Sequence, residues 1–299
     1  MQIASFILVT FFWGASFLGI KIAVNALPPF YCAFLRVSIP FIMMLVYLLI
    51  KEKKVERPAV WLHAIGSGIF SMGIPWIFLF WGETKIPSAL AAILNGTVPF
   101  FATLLIPLVT PQDQLTKNKL AGVGLGFLGL LVIFGPEISL DFSSQLQGML
   151  AVLMMAFCYG IGVTWMRKIS QKIRSPISLF YQSLGGLLIL LPATLLFEMP
   201  KAPNLAPGLA PYLAILYLGI FSTAFAWLLF FGLVKNLGSV QASATTYCVP
   251  LIAILLDLIW WKKWVAPNQA LGAVVILLAV FLIHLRPKTP EKISQRFHF

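Results

Sequence analysis

The strongest constraint on this chain is a succession of apolar stretches, each about as long as a bilayer is thick. A helix crossing the hydrocarbon core needs about 20 mostly apolar residues, because the core is about 30 Å thick and each residue rises about 1.5 Å. Broken at charges, prolines and Asn/Ser clusters, the sequence offers about ten such stretches. They fall at roughly 3–25, 30–50, 60–82, 87–109, 118–135, 146–167, 176–197, 210–234, 239–260 and 267–285. The stretches are continuously apolar rather than alternating, which predicts helices and not a barrel. Of the 299 residues, 60% are hydrophobic and only 10% charged. A soluble domain carries roughly 25% charged residues, so a soluble enzyme, a nucleic-acid binder and a disordered chain are excluded together. The predicted class is an all-α integral membrane protein.

The net charge of +12 then reads as orientation rather than affinity for nucleic acid. With the N-terminus inside, 15 of the 21 Lys and Arg residues fall in cytoplasmic segments and four, Lys85, Lys201, Lys262 and Lys263, in outer loops. Both termini are therefore predicted cytoplasmic, with the Lys262–Lys263 pair as the local violation. The opening Met1-Gln2-Ile3-Ala4-Ser5 lacks a basic region and a cleavage site, so the first span is expected to be retained. Cys32, Cys158 and Cys248 sit inside apolar runs and give neither metal spacing nor a disulfide framework.

The chain also repeats. Gly68-Ile69-Phe70-Ser71 recurs as Gly219-Ile220-Phe221-Ser222, an offset of 151, and at the same offset Trp76 matches Trp227, Phe80 matches Phe231, and Val98-Pro99 matches Val249-Pro250. At an offset of 146, Gly14 matches Gly160, Phe34 matches Phe180, and Trp13 pairs with Tyr159. Five spans per half is an odd number, so the second half enters the membrane upside down. Inverted repeats of this kind are a transporter architecture, with the solute site near the midplane between the repeats.

Trp13-Gly14-Ala15-Ser16-Phe17 with Lys21, then Pro28-Pro29-Phe30 and Phe34-Leu35-Arg36, resembles the opening of the EamA family of the drug/metabolite transporter superfamily. The Pro99 and Pro250 spans and the helices of Gly122 and Gly272 resemble it too. The resemblance implies two EamA repeats, at 1–137 and 145–286, followed by a basic cytoplasmic tail at 287–299. It further implies a ten-helix secondary transporter, commonly an exporter in bacterial inner membranes. The family often has an acid before the last helix of each half; Asp113 fits that place, whereas the second half has Lys262-Lys263.

Candidate site residues are those that are awkward in mid-membrane. Trp61, Trp81, Trp165, Trp260, Trp261 and Trp264 lie near span ends, as an interfacial belt would. Trp13, Trp76, Trp227 and Tyr159 lie deeper and form a duplicated set, read as the walls of an aromatic cavity together with Phe80 and Phe231. The fourth and ninth spans add Asn95, Thr246 and Tyr247, and the helix-breaking Pro99 and Pro250. Hydroxyls can bond back to their own helix, whereas the amide of Asn95 has two donors and two lone pairs to satisfy. A cavity lined by the first, third, fourth, sixth, eighth and ninth spans is expected.

Lys21, Arg36 and Glu83 are the candidate rim or gating charges. For Arg36 three readings stand: snorkelling to headgroups, pairing with Glu83, or attracting anionic groups. No acid or histidine falls at the midplane, which argues against a buried proton relay. Gly124-Leu125-Gly126-Phe127-Leu128-Gly129 spells a dinucleotide fingerprint but follows no strand, so it reads as a helix-packing face. With no Walker A, metalloprotease or nucleophile-elbow motif, no enzyme activity and no cofactor are expected. The expected partners are a small-molecule solute and the lipid bilayer, not nucleic acid. The aromatic cavity points to small amphipathic metabolites, such as amino acids or their derivatives, and the resemblance implies that they are exported. The rivals of this reading are an importer or exchanger of an anionic or nucleotide-like solute, and a non-transporting scaffold or receptor.

Overall fold

The computed structural model describes residues 2–51, 58–110, 115–135, 142–201, 205–206, 208–260 and 266–285. Asp113, Trp261, the Lys262–Lys263 pair, Trp264 and the 287–299 tail lie outside the described residues. Within them the chain is helical, with no strand. The first half comprises α1 (Gln2–Gly14), α2 (Ser16–Val24), α3 (Pro29–Lys51), α4 (Pro58–Gly68), α5 (Ile74–Lys85), α6 (Ser88–Asn95), α7 (Val98–Val109) and α8 (Lys117–Phe134). The second comprises α9 (Phe142–Ile169), α10 (Ser175–Phe197), α11 (Leu209–Tyr217), α12 (Ala226–Leu237), α13 (Ser239–Ser243), α14 (Thr245–Trp260) and α15 (Pro267–His284).

Eight of the expected spans are long and apolar enough to cross a membrane among the described residues. The other two positions are also helical. One is α8, which opens on Lys117-Asn118-Lys119; the other is the α13–α14 pair, broken at Ala244. Outward faces are apolar as lipid requires: Leu49, Leu108, Leu196 and Phe281 are all exposed.

Local chemistry explains where the spans deviate. The proline-bearing helices were the expected irregularities. Pro99 sits in the first turn of α7, just after a break at Gly96–Thr97, where its missing N–H leaves no bond unmade. Pro250 lies inside α14. The larger departures fall elsewhere, on the repeated Gly-Ile-Phe-Ser motif. Ile69–Gly73 links α4 to α5 as a π-helix, and Leu218–Phe225 links α11 to α12 in the same way. A π segment widens the helix and turns its side chains out of the ordinary register, a geometry found mostly at functional sites.

A cation ties helices together within each half, and one carboxylate reaches between the halves. Lys21, at the end of α2, donates to the carbonyls of Glu83 (2.7 Å) and Ile86 (3.2 Å), capping the C-terminus of α5. Arg167, its counterpart at offset 146, donates to the carbonyls of Val234 (3.2 Å) and Lys235 at the end of α12. Val234 is the counterpart of Glu83 at offset 151. In both halves a cation therefore satisfies helix-end carbonyls at the negative end of the dipole. A related contact closes α3: Glu198 accepts the backbone N–H groups of Phe30 (2.8 Å) and Tyr31 (2.7 Å) at that helix's start. The closing helices α8 and α15 pack on one another through glycines. A Cβ on Gly129 would stand 2.7 Å from Ile276, and one on Gly272 would meet Ile133 and stand 2.7 Å from the Gly129 carbonyl. Of the dinucleotide-like glycines, Gly126 packs on Tyr247 and Gly129 on Ile276, while a Cβ on Gly124 would meet nothing within 4 Å. The whole is an all-α membrane protein of two inverted repeats.

Candidate functional site

Between the repeats lies a cavity of about 620 Å³, measured out to its open mouth. Its walls come from the six expected spans and one more. Trp13 and Phe17 stand at the first span, Leu79 and Ser71 at the third, Asn95 at the fourth, Tyr159 at the sixth, Trp227 and Phe230 at the eighth and Thr246 at the ninth. Arg36, on α3, adds the second span. The lining follows the repeat. Trp13 pairs with Tyr159 and Phe17 with Val163 at offset 146; Leu79 pairs with Phe230 and Asn95 with Thr246 at offset 151.

One side is an aromatic cluster. Trp13 lies 5.7 Å from Trp227 and 4.9 Å from Phe230, ring centre to ring centre, and Trp227 lies 5.7 Å from Phe230. Each indole N–H is satisfied away from the cavity, so the faces are left for packing. Trp13 donates to the Ser222 carbonyl at 3.0 Å and Trp227 to Gln182 Oε1 at 3.1 Å.

The polar part of the lining is organised by Arg36, a buried residue at 4% exposure. Burial removes the snorkelling reading, since the guanidinium does not reach the surface. Its Nε donates to Thr223 Oγ1 at 3.0 Å and its Nη2 to Ser222 Oγ at 3.4 Å, both in the second π segment. The guanidinium carbon lies 4.3 Å from the Trp76 ring centre, a cation–π contact of about 2 kcal/mol or more when desolvated. Pairing with Glu83 fails as well. No ion pair within 4.0 Å forms, and Arg36 Nη1 and Glu83 Oε1 are each buried without a hydrogen-bond partner. Glu83 instead takes the Ser88 hydroxyl on Oε2 at 3.1 Å.

Gln182 stands at offset 146 from Arg36 and makes the mirror contacts. It accepts from Ser71, in the first π segment, at 3.3 Å and holds the indole of Trp227. Each π segment thus receives one α-helical polar side chain from the other repeat, charged on one side and neutral on the other. Sequence reasoning missed Gln182, Ser222 and Thr223. Its signal was available, because the repeated serine lies inside the motif that carried the repeat.

The other sequence-predicted residues divide. Trp13, Arg36, Asn95, Tyr159, Trp227 and Thr246 line the cavity. Asn95 makes no side-chain hydrogen bond, whereas Thr246 bonds back to the Ser243 carbonyl at 2.9 Å. Trp76, Phe80, Phe231 and Tyr247 are buried behind the wall. Trp76 donates to the Tyr159 hydroxyl at 2.6 Å, and Tyr247 to the Val123 carbonyl of α8 at 2.9 Å. Pro99, Pro250, Lys21 and Glu83 lie off the lining, shaping or capping helices.

Fold and cavity together define a multi-span membrane transporter. The chain belongs to the EamA-like transporter family, whose model matches residues 1–135 and 146–285. Its members are transporters of the drug/metabolite transporter superfamily, and the chain is accordingly not an enzyme. Similar proteins include Protein PagO of Salmonella typhimurium strain LT2, 27% identical over 93% of this chain and 90% of that protein. The uncharacterized transporter YoaV of Bacillus subtilis strain 168 is 26% identical over 92% and 93%. The uncharacterized inner membrane transporter YedA of Escherichia coli K12 is 23% identical over 91% and 87%. A protein crystal structure superposes with a TM-score of 0.75 over 94% of this chain and 95% of the other, at 19% identity, which speaks for the fold alone.

Proposed function

We propose that this transporter exports small amphipathic metabolites, amino acids and their derivatives first among them, by alternating access of the central cavity. The observation that carries the reading is the composition of that cavity: the aromatic faces of Trp13, Trp227 and Phe230 together with the polar groups of Arg36, Asn95 and Tyr159, at the interface of two repeats. The outward direction rests on the family resemblance. The positive-inside distribution of Lys and Arg supports cytoplasmic termini, and likeness to an inner membrane transporter supports that location.

Untargeted mass spectrometry of the medium tests it, comparing cells that overproduce the protein with an empty vector and with Asn95→Ala. Solutes enriched outside only with the intact protein are expected. Depletion from the medium instead would establish uptake. That second reading draws support from Arg36 on the lining, although one cation suits a single negative charge and not a nucleotide.

A further inference from the structure

We infer that the cavity selects a carboxylate-bearing monoanion with an apolar or aromatic body, anchored by Arg36. The inference rests on the reading of this cavity as the solute site. Among the thirteen lining residues Arg36 carries the sole formal charge, and no aspartate, glutamate, lysine or histidine joins it. A buried guanidinium is costly unless its charge is balanced and its N–H groups are bonded. Here Thr223 and Ser222 satisfy two donors, Nη1 has none, and no carboxylate lies within ion-pair distance. A solute carboxylate supplies the direct partner that Nη1 lacks among the described residues.

The surroundings fit such a group. Trp76 supports the guanidinium from one face and donates its N–H to the Tyr159 oxygen. That hydroxyl therefore keeps its own proton free for an acceptor. Asn95 offers an uncommitted amide on the same lining. Hydrogen bonds between ions and hydroxyl or amide donors are the strong ones, and they are directional.

The second π segment sets the distance between the acid end and the apolar end. Ser222 takes Arg36 on its hydroxyl and Trp13 on its carbonyl, so the guanidinium and the Trp13–Trp227–Phe230 cluster flank one residue. At the pseudosymmetric place, neutral Gln182 lies off the lining. The cavity is therefore charged on one side, and an amphipathic anion binds in one orientation. A cationic amphipath gains only ring faces and meets the field of Arg36.

Three ligands sharing one ring system test this on the purified full chain in nanodiscs: indole-3-acetate, indole-3-acetamide and tryptamine, titrated calorimetrically. The acetate is expected to bind about 10-fold or more tighter than the amide, as a charged hydrogen-bond pair provides. Tryptamine is expected to bind no tighter than the amide. Arg36→Gln should abolish the preference for acetate over amide, and Arg36→Lys should retain part of it. Equal binding of acetate and amide to the unsubstituted protein overturns the anchor and leaves the aromatic cavity standing, as does tighter binding of tryptamine. Binding of none of the three removes the anchor and the cavity reading together. Because the ligand series is read on the unsubstituted protein, a folding failure in Arg36→Gln does not spoil it.

Discussion

Trp76 illustrates how a single side chain supports the site without facing a solute. The indole of Trp76 is fully buried, gives its N–H to Tyr159 and lies against Arg36, so it holds two lining groups at once. Tyr159→Phe removes the acceptor and leaves a buried N–H unpaired, which costs about 1–3 kcal/mol. A lower melting temperature in detergent is expected for that variant, whereas Phe281→Ala, on an exposed face, should melt close to the parent. At this scale the sequence was partly legible. Depth within a span identifies Trp13, Trp76 and Trp227, and the repeat identifies Tyr159 as the counterpart of Trp13. Which of them faces the cavity was not legible, because burial behind a wall and exposure on it use the same residue type. Of the three readings of Arg36, snorkelling follows from its place near a span end, where a lone cation ordinarily reaches for headgroups. The hydroxyls of Ser222 and Thr223 and the Trp76 ring hold it inside instead.

Among the elements, the π segments and the glycine faces do different jobs. The π segments present Ser71 and the Ser222–Thr223 pair to polar partners from the opposite repeat, and Thr223 Oγ1 reaches back to the Leu218 carbonyl five residues earlier at 2.8 Å. The glycines of α8 and α15 let two helices approach until backbone carbonyls limit the contact. Gly272→Leu should therefore overpack the crossing, costing about 1–3 kcal/mol and reducing the monodisperse yield on size exclusion. Gly124→Ala, where a Cβ meets nothing within 4 Å, should be tolerated or mildly stabilising. Equal losses in both would mean that the close approach at Gly272 does not set the crossing of α8 and α15. Span positions followed from apolar run lengths, and the packing role of the glycines from their place inside such a run. The π geometry had no signature of its own in one copy; only the motif's recurrence marked it.

For the whole molecule, the repeat is written into both the sequence and the contacts. Cation caps at Lys21 and Arg167, and the polar crossings at Arg36 and Gln182, sit at matching offsets and reach across to, or along, equivalent helix ends. Such pseudosymmetry offers two exchangeable arrangements of one set of contacts, which is what exposure of a cavity to either side of a membrane requires. The charge difference between Arg36 and Gln182 is where the two halves part company, and it gives the solute path a polarity that the architecture lacks.

The central claim is that one cavity meets both faces of the membrane in turn. In a background with Cys32, Cys158 and Cys248 replaced, Val98→Cys puts a thiol on the lining, and membrane-impermeant maleimide is applied to right-side-out and inside-out vesicles. Labelling from both faces is expected, at rates that shift in opposite directions when a transported solute is added. Labelling from one face alone, unchanged by solute, would contradict alternating access.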